Sequence, residues 1–274
     1  MYKLVAVDLD GTLLDDNKNI DIDTINSIKE AIDKGTYFVI ASGRPVITLK
    51  RFYDLIDRDM PVIPCNGAVL AYPSRNEIIL NEHFKKEDLM FLVKYFNDSN
   101  KSFIAWSNND LYCNKINIYT TSYHDACKHA DVKIKVIEDY NDFYKLYINK
   151  LIVIDDSDKI QMFLKDVKKD IKARCNYFTS QSYFLEFVSS GIDKGKALEK
   201  LSKYLDIEKE EIIAIGDGHN DLSMIEYAHV GVAMENSSEY VKSKADYISA
   251  SNNNQGVKKV LDKFILGVKD EKSK

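Results

Sequence analysis

The sequence predicts an α/β protein, a doubly wound and mainly parallel sheet interrupted by an inserted α+β unit. Three observations predict it. Short apolar runs alternate with amphipathic stretches over residues 1–82, the rhythm changes across 83–189, and alternation returns over 190–274. Right-handed crossovers convert such alternation into helices on both faces of a parallel sheet. The expected division is therefore 1–82 with 190–274 as a core and 83–189 as the insertion.

Lys3 to Val7 is a β-branched apolar run ended by Asp-Gly chemistry, the pattern of a buried parallel strand. Ile22, Ile25, Ile28 and Ile32 recur at helical spacing behind Asp21, a good N-cap, so 21–34 reads as an amphipathic helix that Gly35 stops. TYFVIA at 36–41 is the next strand, SGRP at 42–45 a turn opening a second helix, and PVIPCNGA at 61–68 a third strand. The inserted stretch reads as a helix at 86–97, strands at 102–106 and 110–113, a helix at 117–129, and further elements ending in FLEFV at 184–188. IDKGKALEKLSKYL at 192–205 resumes the helical pattern. Strands at 211–217, 229–234 and 246–249 and a last helix at 255–266 complete the alternation, and the polar tail from Gly267 is expected to fray.

At 274 residues the chain is long enough to bury a substantial core in one or two domains. A net charge of -5 argues against a nucleic-acid partner, which requires clustered basic residues. Cys65, Cys113, Cys127 and Cys175 lack the close spacing of a zinc or redox pair and read as buried thiols in a reducing compartment. Asp8 breaks the first apolar run before a signal-peptide core or membrane span could be completed, so the expectation is a cytoplasmic protein with no membrane partner.

The residues that carry chemistry fall past the carboxyl ends of predicted core strands, where open α/β sheets bind ligands. Asp8 and Asp10 in DLDGT lie two apart and so face one side together. Two close carboxylates repel, and a divalent cation between them relieves that; Mg²⁺ suits carboxylate oxygens, waters and a substrate phosphate. Alone, DG could be only a turn. GDGHND at 216–221 supplies Asp217 as a further metal ligand, with Asn220 and Asp221 beyond it, although by itself such a loop could be a solvated turn or cap. Ser42, Gly43 and Arg44 stand at a strand-to-helix junction, a ready anion site. In isolation Ser42 could merely cap the helix, with Arg44 a surface charge. Lys194 would be a point-charge phosphate ligand, or a solvated lysine at a helix start.

In order, DLDGT at 8–12, ASGR at 41–44, Lys194 and GDGHND at 216–221 resemble the four motifs of the haloacid dehalogenase superfamily, over nearly the whole chain. The insertion between the second and third motifs is similar to the type IIB cap of Cof-type phosphatases. NGA at 66–68, ADYIS at 245–249 and the QGV before the last helix add to the likeness. The resemblance implies a Rossmann-like core, a nucleophilic Asp8, Asp10 as general acid and base, and phosphate held by Ser42, Gly43, Lys194 and Asn220, with Asn66 also in reach. It implies Mg²⁺ on Asp8, the main-chain carbonyl of Asp10, and Asp217, supported by Asp221 and Thr12. The substrate would be a small phosphorylated metabolite. His229 departs from the pattern, standing where a glycine often precedes the strand, and reads as packing.

Two rivals stay open: a phosphosugar mutase using the same aspartyl chemistry, and a non-catalytic metabolite-sensing or phosphoacceptor module. The insertion should set the leaving group. Trp106, Tyr112, Tyr119, Tyr123 and His124 are either pocket or core, with core favoured, and His124 and His129 do not share a helical face well enough to suggest metal.

Overall fold

The computed structural model describes residues 2–127, 130–171 and 173–268. His129, the end of the helix expected at 117–129, and the tail beyond Val268 lie outside the described residues. In chain order the strands are β1 Leu4–Asp8, β2 Tyr37–Ala41, β3 Val62–Ile63, β4 Val69–Tyr72 and β5 Glu77–Asn81. They continue as β6 Ser102–Ser107, β7 Asp110–Cys113, β8 Ile134–Val136, β9 Lys150–Ile154, β10 Cys175–Gln181 and β11 Phe184–Ser189. The last are β12 Ile212–Gly216, β13 Val230–Ala233 and β14 Tyr247–Ile248.

They form two sheets. The first runs β14-β13-β12-β1-β2-β3-β4-β5, parallel from β14 to β3 and antiparallel through β4 and β5. Alternate residues of β1 serve opposite faces. Val5 and Val7 pack with Ile25 and Ile28 of the helix Ile22–Asp33, whereas Leu4 and Ala6 pack with Leu198 and Leu201 of the helix Lys194–Tyr204. Burial on both sides is why the strand reads as an unbroken apolar run. This is the doubly wound α/β layout the alternation predicts. The second sheet, β10-β11-β9-β6-β7-β8, is antiparallel except between β7 and β8. One of its faces is covered by the helices Lys86–Asp98 and Ser157–Ile171, with Phe96 and Phe163 among the contacts.

Most element readings match to within a few residues, and Asp21 caps the first helix by accepting from the N–H groups of Asp23 and Thr24. The strand expected at 61–68 does not. Only Val62 and Ile63 pair, because Cys65 and Asn66 take left-handed φ of 53° and bend the chain into a single turn. Beyond it lies the β4–β5 hairpin, which no reading of the sequence anticipated. The four cysteines are free and buried, as expected. Among the described residues no helix is long and apolar enough to cross a membrane.

Candidate active site

β1 and β12 are neighbours at the centre of the first sheet, so the segments that leave their carboxyl ends emerge side by side. That brings Asp8 together with Asp217 and Asp221, about two hundred residues later in sequence. One carboxylate oxygen from each lies within 4.8 Å of the others. Two glycines make the approach possible. Gly11 holds φ +85°, and a Cβ there would stand 2.5 Å from Asp217 Oδ2; at Gly216 it would stand 2.4 Å from Asp221 Cβ.

Lys194, fully buried at the first position of its helix, donates to Asp8 Oδ1 at 2.5 Å and to Asp221 Oδ1 at 2.6 Å. It is therefore neither solvated nor a surface charge. Asp221 Oδ2 accepts from the N–H groups of Asp217 (3.0 Å) and Gly218 (2.8 Å), so both oxygens of Asp221 are engaged. Thr12 donates to Asp217 Oδ1 at 2.9 Å. The open ligand atoms then come chiefly from Asp8 and Asp217, while Asp221 and Thr12 orient.

Three carboxylates face one ammonium. Burial, and next the Asp221 charge, push the Asp8 carboxyl well above the usual range. The same causes, in the same order, push Asp217 up to about 6. Lys194 is stripped of water, which would lower its pKa, yet Asp221 and Asp8 raise it above its ordinary value. An anionic surplus on hard oxygen donors fits a divalent cation such as magnesium, not a thiolate-loving metal.

The Asp10 carboxylate lies outside this cluster. Its Oδ2 and Oδ1 accept from Arg44 Nε (2.6 Å) and Nη2 (2.8 Å), and Lys18 Nζ adds a third contact at 3.1 Å. Burial would raise its pKa, but the Arg44 hydrogen bonds and charge prevail and hold it down to about 2. Of Asp10, the main-chain carbonyl is what remains for a metal. Arg44 is thus no surface charge, and Ser42 does not cap the helix that follows. The cap residue is Pro45, and Ser42 Oγ instead accepts from the Arg44 N–H at 3.2 Å. The 42–44 segment is stitched to the turn after β3: Ser42 N–H to Ile63 O, Cys65 N–H to Arg44 O and Asn66 N–H to Ser42 O. Asn220 Nδ2 donates to Asn66 Oδ1 at 3.2 Å, which brings the third cluster of the sequence into contact with the turn.

A cavity of about 360 Å³ joins Asp8, Asp10, Ser42, Gly43, Asp217 and Asn220 to residues of the second sheet and its connections, among them Tyr123, Lys150, Tyr183 and Glu186. Of the aromatic candidates only Tyr123 lines it. Trp106 is core and donates to the Tyr123 hydroxyl at 2.9 Å, Tyr119 bonds Asp156, and the His124 ring contacts Val132 O. His229 is exposed beside Tyr2 at the start of β13, remote from the site. Sequence reasoning missed Lys150 and Glu186, and left Arg44 open between a part of the anion site and a surface charge. Arg44 was legible in principle, two residues beyond Ser42 at the same junction; nothing distinguished the other two from ordinary strand charges.

The family described as haloacid dehalogenase-like hydrolase matches residues 5–261. The 5-amino-6-(5-phospho-D-ribitylamino)uracil phosphatase YitU of Bacillus subtilis is 29% identical over 268 residues, covering 95% of this chain and 97% of that protein. A haloacid dehalogenase-like hydrolase from Bacteroides thetaiotaomicron superposes with a TM-score of 0.85 at 28% identity, covering 96% of this chain and 99% of its own. The subclass IIB sugar phosphatase BT4131 shares the fold, with a TM-score of 0.80 at 24% identity, covering 96% of this chain and 98% of its own.

Proposed function

The chain belongs to the haloacid dehalogenase-like hydrolase family, and from that premise we propose a magnesium-dependent phosphatase that acts on small organic phosphomonoesters through an aspartyl-phosphate on Asp8. The observation that carries this reading is the gathering of Asp8, Asp217 and Asp221 around Lys194 at the central strand ends. Asp8, Asp217 and the main-chain carbonyl of Asp10 would hold the magnesium. Bound there, the ion supplies the positive charge that lets a carboxylate meet an anionic phosphate.

Asp8 attacks phosphorus and the leaving alkoxide departs with a proton from Asp10. Asp10 then takes a proton from the water that releases phosphate. Arg44 must relinquish Asp10 before that carboxyl can carry a proton, and an incoming phosphate competes for the same guanidinium. Ser42, the Gly43 N–H, Lys194 and Asn220 bind the equatorial oxygens, where transition-state charge collects. Residues 83–189 act as the cap, since their sheet contributes Lys150 and Glu186, and their helix Ile118–Ala126 contributes Tyr123, to the cavity wall. The relative YitU is named for a phosphorylated ribitylaminouracil, so phosphates of that kind belong in a substrate panel beside sugar, nucleotide and cofactor phosphates.

The test is release of inorganic phosphate from that panel with magnesium and after chelation. Magnesium-dependent free phosphate is expected. Conversion of a hexose monophosphate into its isomer with no free phosphate would replace hydrolysis by mutase chemistry.

A further inference from the structure

Lys150 and Glu186 are a charged pair on a mainly apolar sheet face. Glu186 on β11 stands opposite Ile152 on β9, and Lys150 is two residues from Ile152, so the two side chains share the face that carries Ile104, Trp106 and Phe184. They are 2% and 4% exposed, and Lys150 Nζ lies 2.8 Å from Glu186 Oε2. A buried pair contributes little stability over apolar residues of the same shape, so its contacts beyond itself deserve the explanation. Both side chains leave their own sheet. Lys150 Nζ donates to the Gly43 carbonyl at 2.7 Å, and Glu186 Oε2 accepts from Asn66 Nδ2 at 2.8 Å.

These contacts orient more than they touch. A planar peptide carries its C=O and N–H on opposite sides, so holding the Gly43 carbonyl also aims the Arg44 N–H, which donates to Ser42 Oγ. Glu186 only accepts, so it draws the NH₂ of Asn66 toward itself and turns Oδ1 away, where it receives Asn220 Nδ2. The seat is tight: a Cβ at Gly43 would lie 3.1 Å from both Glu186 Oε2 and Asn66 Oδ1.

We propose that Lys150 and Glu186 are positioning residues for the phosphate-binding loop, setting the Gly43–Arg44 peptide and the Asn66 and Asn220 amides, so that the anion site is complete only while the inserted unit is seated on it. This rests on the phosphohydrolase reading of the same site. It makes the insertion part of the anion site, beyond any contact it has with the leaving group.

The discriminating variant is Lys150→Met with Glu186→Leu, which replaces the pair by apolar shapes. A purely structural pair predicts that the double variant recovers both melting temperature and activity. A positioning pair predicts a melting temperature within a few degrees of the parent, an affinity for inorganic phosphate with magnesium about tenfold weaker, and kcat lower by about 10²-fold, the scale of an ångström-sized misplacement. A stable double variant with unchanged phosphate affinity and unchanged kcat overturns the proposal. Should that variant not fold, Lys150→Met with Glu186→Gln keeps the pair uncharged and an acceptor for Asn66 while removing the hold on the Gly43 carbonyl, and the same two readouts decide in the same sense. Calorimetry with inorganic phosphate judges the positioning role whether or not any ester is turned over. Absence of turnover across the whole panel in the parent enzyme, with phosphate binding intact, would count against the hydrolase reading alone.

Discussion

Two largely buried groups of charge each send residues to the same cavity, Asp8 and Asp217 from one and Lys150 and Glu186 from the other, and they are balanced in opposite ways. Around Lys194 stand three carboxylates, Asp8, Asp217 and Asp221, whereas Lys150 is matched by one, Glu186. The first group carries a surplus that only a further cation can neutralise, and burial makes the surplus costly. The second is closed upon itself and upon its neighbours Gly43 and Asn66. The difference separates chemistry from positioning: an unbalanced cluster is a place for a metal and an anionic substrate, and a balanced pair is a place to fix backbone and amides.

The sharpest break of this comparison is Asp8→Asn. It removes the nucleophile while keeping shape, and phosphate release should fall by at least about 10⁴-fold, toward background. Near-normal turnover would mean that the anionic group does not supply the attacking atom. Next comes Asp10→Asn, expected to lower kcat by roughly 10²- to 10⁴-fold, the range for loss of an acid-base group. A rate within threefold of the parent would leave the Arg44–Asp10 pair a structural tie and nothing more.

Stability sharpens the contrast further. Lys194→Met leaves Asp8 and Asp221 without their cation, and thermal melts in chelator should show a loss of about 3–5 kcal/mol, as for one partner removed from a buried pair. Added magnesium should return much of it, because the ion answers the same surplus. Lys150→Met also takes a cation away from a buried carboxylate, but magnesium should return none of that loss. Equal rescue of both variants would erase the distinction between the two groups.

The two groups also differ in how far the sequence disclosed them. Asp8 and Asp217 sit where apolar strands meet polar turns, and the physics of parallel sheets places such junctions together, so their meeting was legible, whereas Lys194 at a helix start stood out only through the family resemblance and the Asp10 carboxylate turned instead to Arg44. Lys150 and Glu186 lie inside strands, in NKLIVI and FLEFV, where a charged residue usually faces water. Only the packing of the second sheet's face onto the 42–44 loop reveals that they point inward. The role of Arg44 was left open for a related reason: its partner Asp10 is 34 residues away, and spacing alone does not report which charges meet. The β4–β5 hairpin was hidden by the left-handed turn at Cys65 and Asn66, which cut an apolar run that pattern alone would have kept whole.

The smallest expected effect reports on the anionic group without any turnover. Asp217 has an ordinary carboxyl pKa of 3.8 when unfolded and about 6 when folded. A raised acid favours folding below the unfolded value, and that contribution is lost as pH climbs through the folded one, since the native state then gives up a proton it held more tightly. Without metal, stability from this group therefore declines between about pH 4 and 6. Asp8 is displaced in the same direction. Metal binding needs the ionised carboxylates, so proton and magnesium compete, and apparent affinity should weaken by about tenfold per pH unit below about 6 for each proton displaced. The magnesium-induced rise in melting temperature should accordingly be small at pH 5 and grow to a plateau above pH 7. In Asp217→Asn one of the carboxyls that exchange a proton for the ion is gone along with a ligand, so the rise should be smaller at every pH and its slope shallower. A magnesium shift in the parent protein that stays level from pH 5 to 8 would place the ion away from Asp217.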